Sequence, residues 1–254
     1  MAEDKVTRFP NCVVVPDDYQ SYDISHFCVS PKYEKYVDRL MLPNGLIKDR
    51  IEKVAIQIIE SFENDHAQSI SMICVLKGGF KFFADLIDAL ERTIRARGTP
   101  IPIATDFVRV KSYVNAQSGP SIYLSGVENV ESYRGKDILI VEDIVDTGRT
   151  MSNLNKYLRT LNARSVRVVS LLVKRTPLSC GYRPDFAGFE IPDEFVVGYA
   201  LDYNDYFRDL HHICVINDAG MRYFAVPDGD AAASNDHPNA APDAVVDGTG
   251  ANAS

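Results

Sequence analysis

No apolar run in this sequence is long enough to span a bilayer. Met1 to Pro10 is charged and lacks an apolar core segment, so a secretory signal peptide is not expected. Positive charge is in deficit: 27 Lys and Arg stand against 35 Asp and Glu, a formal net charge of -8. That balance argues against nucleic acid or membrane as a general partner. It leaves room for one local phosphate site, where a few backbone amides and basic side chains suffice. Cysteine is sparse and unpatterned. Cys12, Cys28, Cys74, Cys180 and Cys214 are odd in number and form no C-x-x-C, which argues against a zinc site or disulfide framework and for a reduced, cytoplasmic setting. His26, His66, His211 and His212 show no metal-ligand spacing. From about Pro227 to Ser254 there is no Lys, no Arg and no aromatic residue. Such a segment buries too little apolar area to offset the entropy of ordering, and residues 227–254 are expected to form a disordered tail.

What is present suits a layered globular fold. A chain of 254 residues, 46% of them hydrophobic, makes one large domain or a domain with a smaller lobe. Residues 1–37 read as irregular. Leu46 to Phe62 carries Ile47, Ile51, Val54, Ile58 and Ile59 on one helical stripe. Ser71 to Leu76 reads as a buried strand, broken by Lys77-Gly78-Gly79, and Phe80 to Leu90 resumes helical spacing. Pro100 to Val110 suggests another strand. Ser112 to Ser132, polar and glycine-bearing, reads as a long mobile loop of the kind that closes over phosphate sites. Ile138 to Val141 and Met151 to Leu161 repeat the strand–turn–helix theme, Val166 to Val173 is all apolar, and Phe195 to Leu201 and Ile213 to Ile216 add strands. Alternation of this kind predicts an α/β fold with a central parallel sheet flanked by helices.

The most informative stretch is ILIVEDIVDTGRT, Ile138 to Thr150. Four apolar residues run into Glu142 and Asp143, and Asp146-Thr147-Gly148-Arg149-Thr150 follows just before a helix. Ligands of open α/β sheets bind past the carboxyl ends of such strands. A small hydroxyl- and glycine-bearing turn at a helix start aims backbone N–H groups at an anion. One loop thus offers a phosphate cradle beside acids suited to ribose hydroxyls or a metal, which points to a phosphorylated sugar. Alone, Asp146 could equally be a helix N-cap, Lys77-Gly78-Gly79 a plain turn, Lys174 a surface lysine, and Phe195 and Val196 core residues.

This string resembles the phosphoribosyl-diphosphate (PRPP) signature of the type I phosphoribosyltransferases. VLKGGFKFFADL (Val75 to Leu86), FVRVKSY (Phe107 to Tyr113), SLLVKRTP (Ser170 to Pro177) and PDEFVVGYALDYNDYFRDL (Pro192 to Leu210) are similar, in order, to the hypoxanthine-guanine phosphoribosyltransferase family, over roughly residues 20–224. The resemblance implies a type I phosphoribosyltransferase fold: a core at about 38–190 and a small hood lobe from both chain ends, 1–37 and 191–226.

It also implies a site. Glu142 and Asp143 would hold the ribose hydroxyls and, with Asp202, Mg²⁺. Ile144 and Val145 would continue the substrate loop, and Thr147, Gly148, Arg149 and Thr150 would cradle the 5′-phosphate. Asp146 would be the acid–base residue at N7 of the purine. Lys77 and Gly78, with a cis peptide between Leu76 and Lys77, would bind pyrophosphate together with Arg208. Lys174 would donate to O6; an ammonium group is donor-only, which suits a 6-oxopurine and opposes the 6-amino group of adenine. Glu194, Phe195 and Val196 would line the base, and Ser112 and Tyr113 would close over the reacting atoms. The implied partners are PRPP, hypoxanthine, guanine, IMP, GMP and pyrophosphate, with neither nucleic acid nor membrane, in a homodimer or homotetramer. A PRPP-fold regulator without turnover is the rival; the acidic balance argues against it.

Overall fold

In the computed structural model, residues 11–115, 119–126 and 129–226 are described. The chain order is β1 (Val13–Val14), β2 (Val37–Leu42), α1 (Asn44–Asn64), β3 (Ile70–Val75), α2 (Phe80–Arg97), β4 (Ile103–Asn115), β5 (Gly119–Ser125), β6 (Asp137–Val145), α3 (Arg149–Thr160), β7 (Ser165–Lys174), β8 (Phe186–Ile191), β9 (Val196–Val197), β10 (Ile213–Ile216) and α4 (Asp218–Tyr223). Seven strands form one sheet in the order β1-β8-β7-β6-β3-β4-β5; β2, β10 and β9 form a second, three-stranded sheet. In the large sheet every pair is parallel except β4 with β5. The expected α/β class and central parallel sheet are found.

Strand alternation feeds two cores. On β3, Met72 and Cys74 face one apolar layer while Ile73 and Val75 face another; on β6, Leu139 and Val141 divide from Ile138 and Ile140 in the same way. The first layer is closed by α1 and α2, through Ile47, Ile51, Ile58 and Phe62 of one helix and Phe82 and Leu86 of the other. The second is closed by Met151, Leu154 and Leu158 of α3. Helix α2 ends at Gly98, whose φ of 67° supplies the left-handed C-cap. A third cluster, with Tyr33, Leu40, Phe207 and Cys214, packs under the small sheet. Among the described residues no helix is long and apolar enough to cross a membrane.

Five readings need correction. Ser112 to Ser132 is not one long loop: β4 runs on to Asn115 and pairs antiparallel with β5, from Arg109 opposite Ser125 to Asn115 opposite Gly119. Antiparallel pairing along the two arms outweighs the polar composition; residues 116–118 and 127–128 lie outside the described ones. Glu142 and Asp143 do not follow the strand but belong to it, because β6 stays paired with β7 as far as Val145 opposite Val173. Phe195 to Leu201 is a strand only at Val196–Val197; positive φ at Gly198 (93°), Tyr199 (53°) and Ala200 (76°) ends the ladder. Residues 1–37 are not irregular throughout, since Val13–Val14 form β1, paired parallel with β8; β2 and β8 were not anticipated at all. The tail expected over 227–254 lies outside the described residues.

Candidate active site

The chain leaves β3 toward β4 on one side of the sheet and β6 toward β7 on the other. The cleft of such a sheet opens where the order reverses, above the carboxyl ends of β3 and β6. Two segments arise there. One follows β3, Leu76 to Gly79; the other ends β6 and enters α3, Glu142 to Thr150.

Glu142 and Asp143 are consecutive on β6 and so leave opposite faces. The Glu142 Oε2 atom is sealed from solvent without a hydrogen-bond partner, and burial, with Asp143 adding to it, holds this carboxyl well above the usual range. Burial also pushes Asp143 up to about 6, against the pull of the Ile144 N–H, which donates to Oδ1 at 2.8 Å. The β3 loop lies directly on this acid. A Cβ on Gly78 would sit 1.6 Å from Asp143 Oδ2, so only glycine fits. The Leu76–Lys77 peptide is cis, as the resemblance implied.

The entry to α3 is open to an anion. Its N-cap is Gly148, at φ 78°, and no side chain caps the first turn. Asp146 is therefore not the cap of this helix. Its Oδ2 lies 3.4 Å from Lys174 Nζ at the end of β7, and Asp193 Oδ1 lies 3.9 Å from the same nitrogen. The Lys174 side chain is only 11% exposed, unlike the surface lysine it might have been. The Cys180 N–H donates to Thr147 O at 2.8 Å, and Tyr182 abuts Gly148, so the loop is braced from behind.

A charged cluster closes the other side. Lys77 Nζ meets both Asp205 oxygens, at 3.2 and 3.3 Å. Arg208 donates to Asp205 Oδ1 at 2.7 Å, pairs with Asp202 Oδ1 at 2.8 Å, and donates to Ala200 O at 2.8 Å. Arg208 first, and Lys77 second, hold the Asp205 carboxyl below its usual range. Arg208 and Asp202 also act on Asp143 in opposite senses, which ties this cluster to the β6 acids. Asp205 was missed by the sequence reading. Its only signal is position, three residues from both Asp202 and Arg208.

Phe195 is 42% exposed rather than a core residue, with its ring edge-on to Tyr203 at 5.4 Å. Val196 is buried in β9. The Glu194 carboxylate is engaged by Tyr19 and Arg39. Ser112 and Tyr113 lie in β4, opposite Ile122 and Ser121. Among the described residues no group of three His, Cys, Asp or Glu is placed to hold a metal unaided.

Comparison with known proteins agrees with this geometry. The phosphoribosyl transferase domain model matches residues 41–204. The hypoxanthine-guanine phosphoribosyltransferase of Schistosoma mansoni is 54% identical over 217 residues, 85% of this chain and 76% of the relative. The Homo sapiens protein of the same name is 50% identical over 214 residues, 84% of this chain and 96% of its own. A crystal structure of the Schistosoma mansoni enzyme in complex with IMP superposes with a TM-score of 0.73 at 48% identity, covering 85% of this chain and all of that one. Open helix start, consecutive acids near the end of β6 and a cluster of paired Lys, Arg and Asp side chains thus sit on a chain that belongs to the hypoxanthine-guanine phosphoribosyltransferase family.

Proposed function

We propose that this chain transfers the phosphoribosyl group of PRPP to N9 of hypoxanthine or guanine, giving IMP or GMP and pyrophosphate in purine salvage. The single observation that carries the reading is the Asp146–Lys174 contact at the ends of neighbouring strands. It sets a carboxylate and a donor-only ammonium side by side, as a 6-oxopurine requires at N7 and O6. Asp146 takes the N7 proton as N9 forms its bond to C1 and returns it in reverse. Lys174 donates to O6. Phe195, with an exposed ring, stacks on the base, and the backbone of Val196 meets the base edge. The 5′-phosphate lies on the first-turn amides of α3, held by Thr147, Gly148, Arg149 and Thr150.

Positive charge builds on C1 while the C1–oxygen bond to pyrophosphate breaks. Lys77, the Gly78 backbone and Arg208 take up the departing charge. Lys77 pairs with Asp205, and Arg208 with Asp202 and Asp205, and pyrophosphate oxygens would compete with these carboxylates for the two cations. Glu142 and Asp143 receive the ribose hydroxyls; the unpartnered Glu142 Oε2 is an acceptor waiting for a donor or cation. Ser112 and Tyr113, on the β4 arm of the hairpin, close over the reacting atoms and keep water out.

Mg²⁺ fits this donor set. A hard, small cation takes one or two carboxylates and fills its shell with phosphate oxygens and water, so Asp202, with Glu142 or Asp143 beside it, would suffice without a three-residue cage. When bound it would offset charge on the leaving pyrophosphate. A core at 38–190, a hood from 1–37 and 191–226, a dimeric or tetrameric assembly and a cytoplasmic location belong to the same proposal.

The test is a spectrophotometric assay of PRPP with hypoxanthine, guanine, xanthine and adenine, each with and without Mg²⁺. Turnover of hypoxanthine and guanine, none of adenine, and dependence on Mg²⁺ are expected. Equal use of adenine would remove the O6 role of Lys174.

A further inference from the structure

Glu194 precedes the two residues assigned to the base, yet its carboxylate does not point at them. Tyr19 Oη donates to Glu194 Oε2 at 3.0 Å, Arg39 Nη2 donates to Glu194 Oε1 at 2.5 Å, and Arg39 Nε donates to Tyr19 Oη at 2.9 Å. Three groups thus close a ring in which each bonds the other two. The Arg39 guanidinium also lies over the Tyr19 ring, 5.7 Å from its centroid. The Glu194 side chain is 19% exposed, which places the ion pair in partial shelter from water.

Chain topology gives the ring its consequence. Arg39 in β2 is opposite Val215 in β10, and Val215 is opposite Val196 in β9. Arg39 and Val196 therefore stand in one cross-strand row of the small sheet. Strand β9 is two residues long, and its anchorage is correspondingly slight. Beyond it the backbone is left-handed at Gly198, Tyr199 and Ala200. Before it, the Glu194 N–H closes only a local turn to Pro192 O at 2.9 Å. The Ile216 N–H holds Phe195 O at 3.1 Å from the β10 side, and the side-chain ring adds a tie from the start of this segment to β2 and to the residues around Tyr19.

We propose that Arg39, Tyr19 and Glu194 are positioning residues that clamp the base-binding segment, so that Phe195 and Val196 meet the purine at a fixed height. The inference rests on the base-site reading given under Proposed function. It replaces a direct contact of Glu194 with substrate by an indirect one. A side chain with both oxygens already engaged contributes by holding its backbone.

The clamp makes a prediction that a direct contact does not. Guanine and hypoxanthine differ only at the 2-position. A residue touching that position changes one base and spares the other, whereas loosening the segment affects both alike. Steady-state kinetics of Glu194→Gln, Arg39→Ala and Tyr19→Phe, with each base and with PRPP varied in turn, separate the cases. The first two variants should raise KM for both bases by roughly tenfold, equivalent to about one lost charge-assisted hydrogen bond. Tyr19→Phe, which keeps the ring but removes the hydroxyl bonded to both charged partners, should raise it by about three- to tenfold, because the Arg39–Glu194 ion pair survives. KM for PRPP should stay within about twofold, and Glu194→Gln combined with Arg39→Ala should be no worse than Arg39→Ala alone, since partners in one network are not additive.

A rise confined to guanine, or an equal rise for PRPP, or wild-type KM in all three variants, would overturn the clamp. Wild-type protein assayed alongside keeps the two readings apart. If it turns over neither base, the function reading fails; if it turns over both while the variants match it, only the clamp fails.

Discussion

The two sides of the cleft are built differently. The side proposed to bind phosphate is one uninterrupted stretch, Glu142 to Thr150, in which a strand, a turn and a helix start follow each other and the groups offered include backbone N–H. The side proposed to face pyrophosphate and base is assembled from Lys77, Lys174, Phe195, Asp202, Asp205 and Arg208, and its ion pairs span up to 128 residues of chain. The first is rigid because the hydrogen-bonded ladder of β6 and the frame of α3 leave it few alternatives. The second is held by ion pairs between side chains, from the exposed Lys77–Asp205 pair to the more sheltered Arg208–Asp202 and Lys174–Asp146 pairs, and the exposed ones are weak and readily exchanged for ligand oxygens. A site that must hold one end of PRPP while releasing the other gains from this asymmetry.

The largest effect should come from the point where the two sides touch. Asp146→Asn keeps the size of the side chain but removes the base, and kcat should fall by about 10²- to 10⁴-fold while IMP still binds. Turnover of hypoxanthine at the wild-type rate would separate Asp146 from the chemistry. Next is Lys174→Ala. Losing a sheltered charged donor should raise KM for hypoxanthine roughly 10- to 100-fold and leave KM for PRPP nearly unchanged; an equal effect on both substrates would place Lys174 outside base recognition.

The phosphate side can be broken through its backbone alone. Gly148 has φ 78°, and a Cβ there would lie 2.7 Å from Tyr182 Cβ. Gly148→Ala should cost about 1–2 kcal/mol for the left-handed conformation alone, and lower the melting temperature by roughly 2–8 °C. It should also raise KM for PRPP more than KM for either base. Stability lost without a change in PRPP affinity would mean that the loop is structural only.

The smallest effect is one of pH. Burial raises the Asp143 carboxyl to about 6 in the fold, above its ordinary value of 3.8. A raised acid favours folding below its unfolded pKa, and this contribution is lost as pH climbs through the folded value. The free enzyme therefore carries the burial penalty of Asp143 in full above about pH 6. Asp143→Asn should melt higher than wild type at pH 8, with the gap narrowing toward pH 4. A constant gap, or a lower melting point for the variant at pH 8, would contradict the burial argument.

The same contrast explains what could be read from the sequence. Helices α1 and α2, strands β3, β6 and β7 and the whole phosphate loop follow from local pattern, because their periodicity and turn chemistry are contiguous. Strand β8 escaped because Gly188 and Glu190 interrupt its apolar run; yet a Cβ on Gly188 would strike Leu171 O at 2.5 Å, and Glu190 is buried against Arg175. The hairpin of β4 and β5 was hidden by serine, glycine and proline at positions where only cross-strand pairing decides. Asp205 was illegible for a related reason: its partner Lys77 is brought to it by the fold, not by spacing. Asp146, Lys174 and Arg208 became assignable from sequence only through resemblance, since alone each reads as a cap or a surface charge.

The measurement that bears most directly on the whole account is ³¹P NMR of the protein with PRPP, Mg²⁺ and hypoxanthine. The account predicts that PRPP is lost as pyrophosphate and a nucleoside 5′-monophosphate appear in equal amounts, and that omitting hypoxanthine leaves PRPP largely intact. Pyrophosphate released without nucleotide, or no loss of PRPP when both substrates are present, would contradict it.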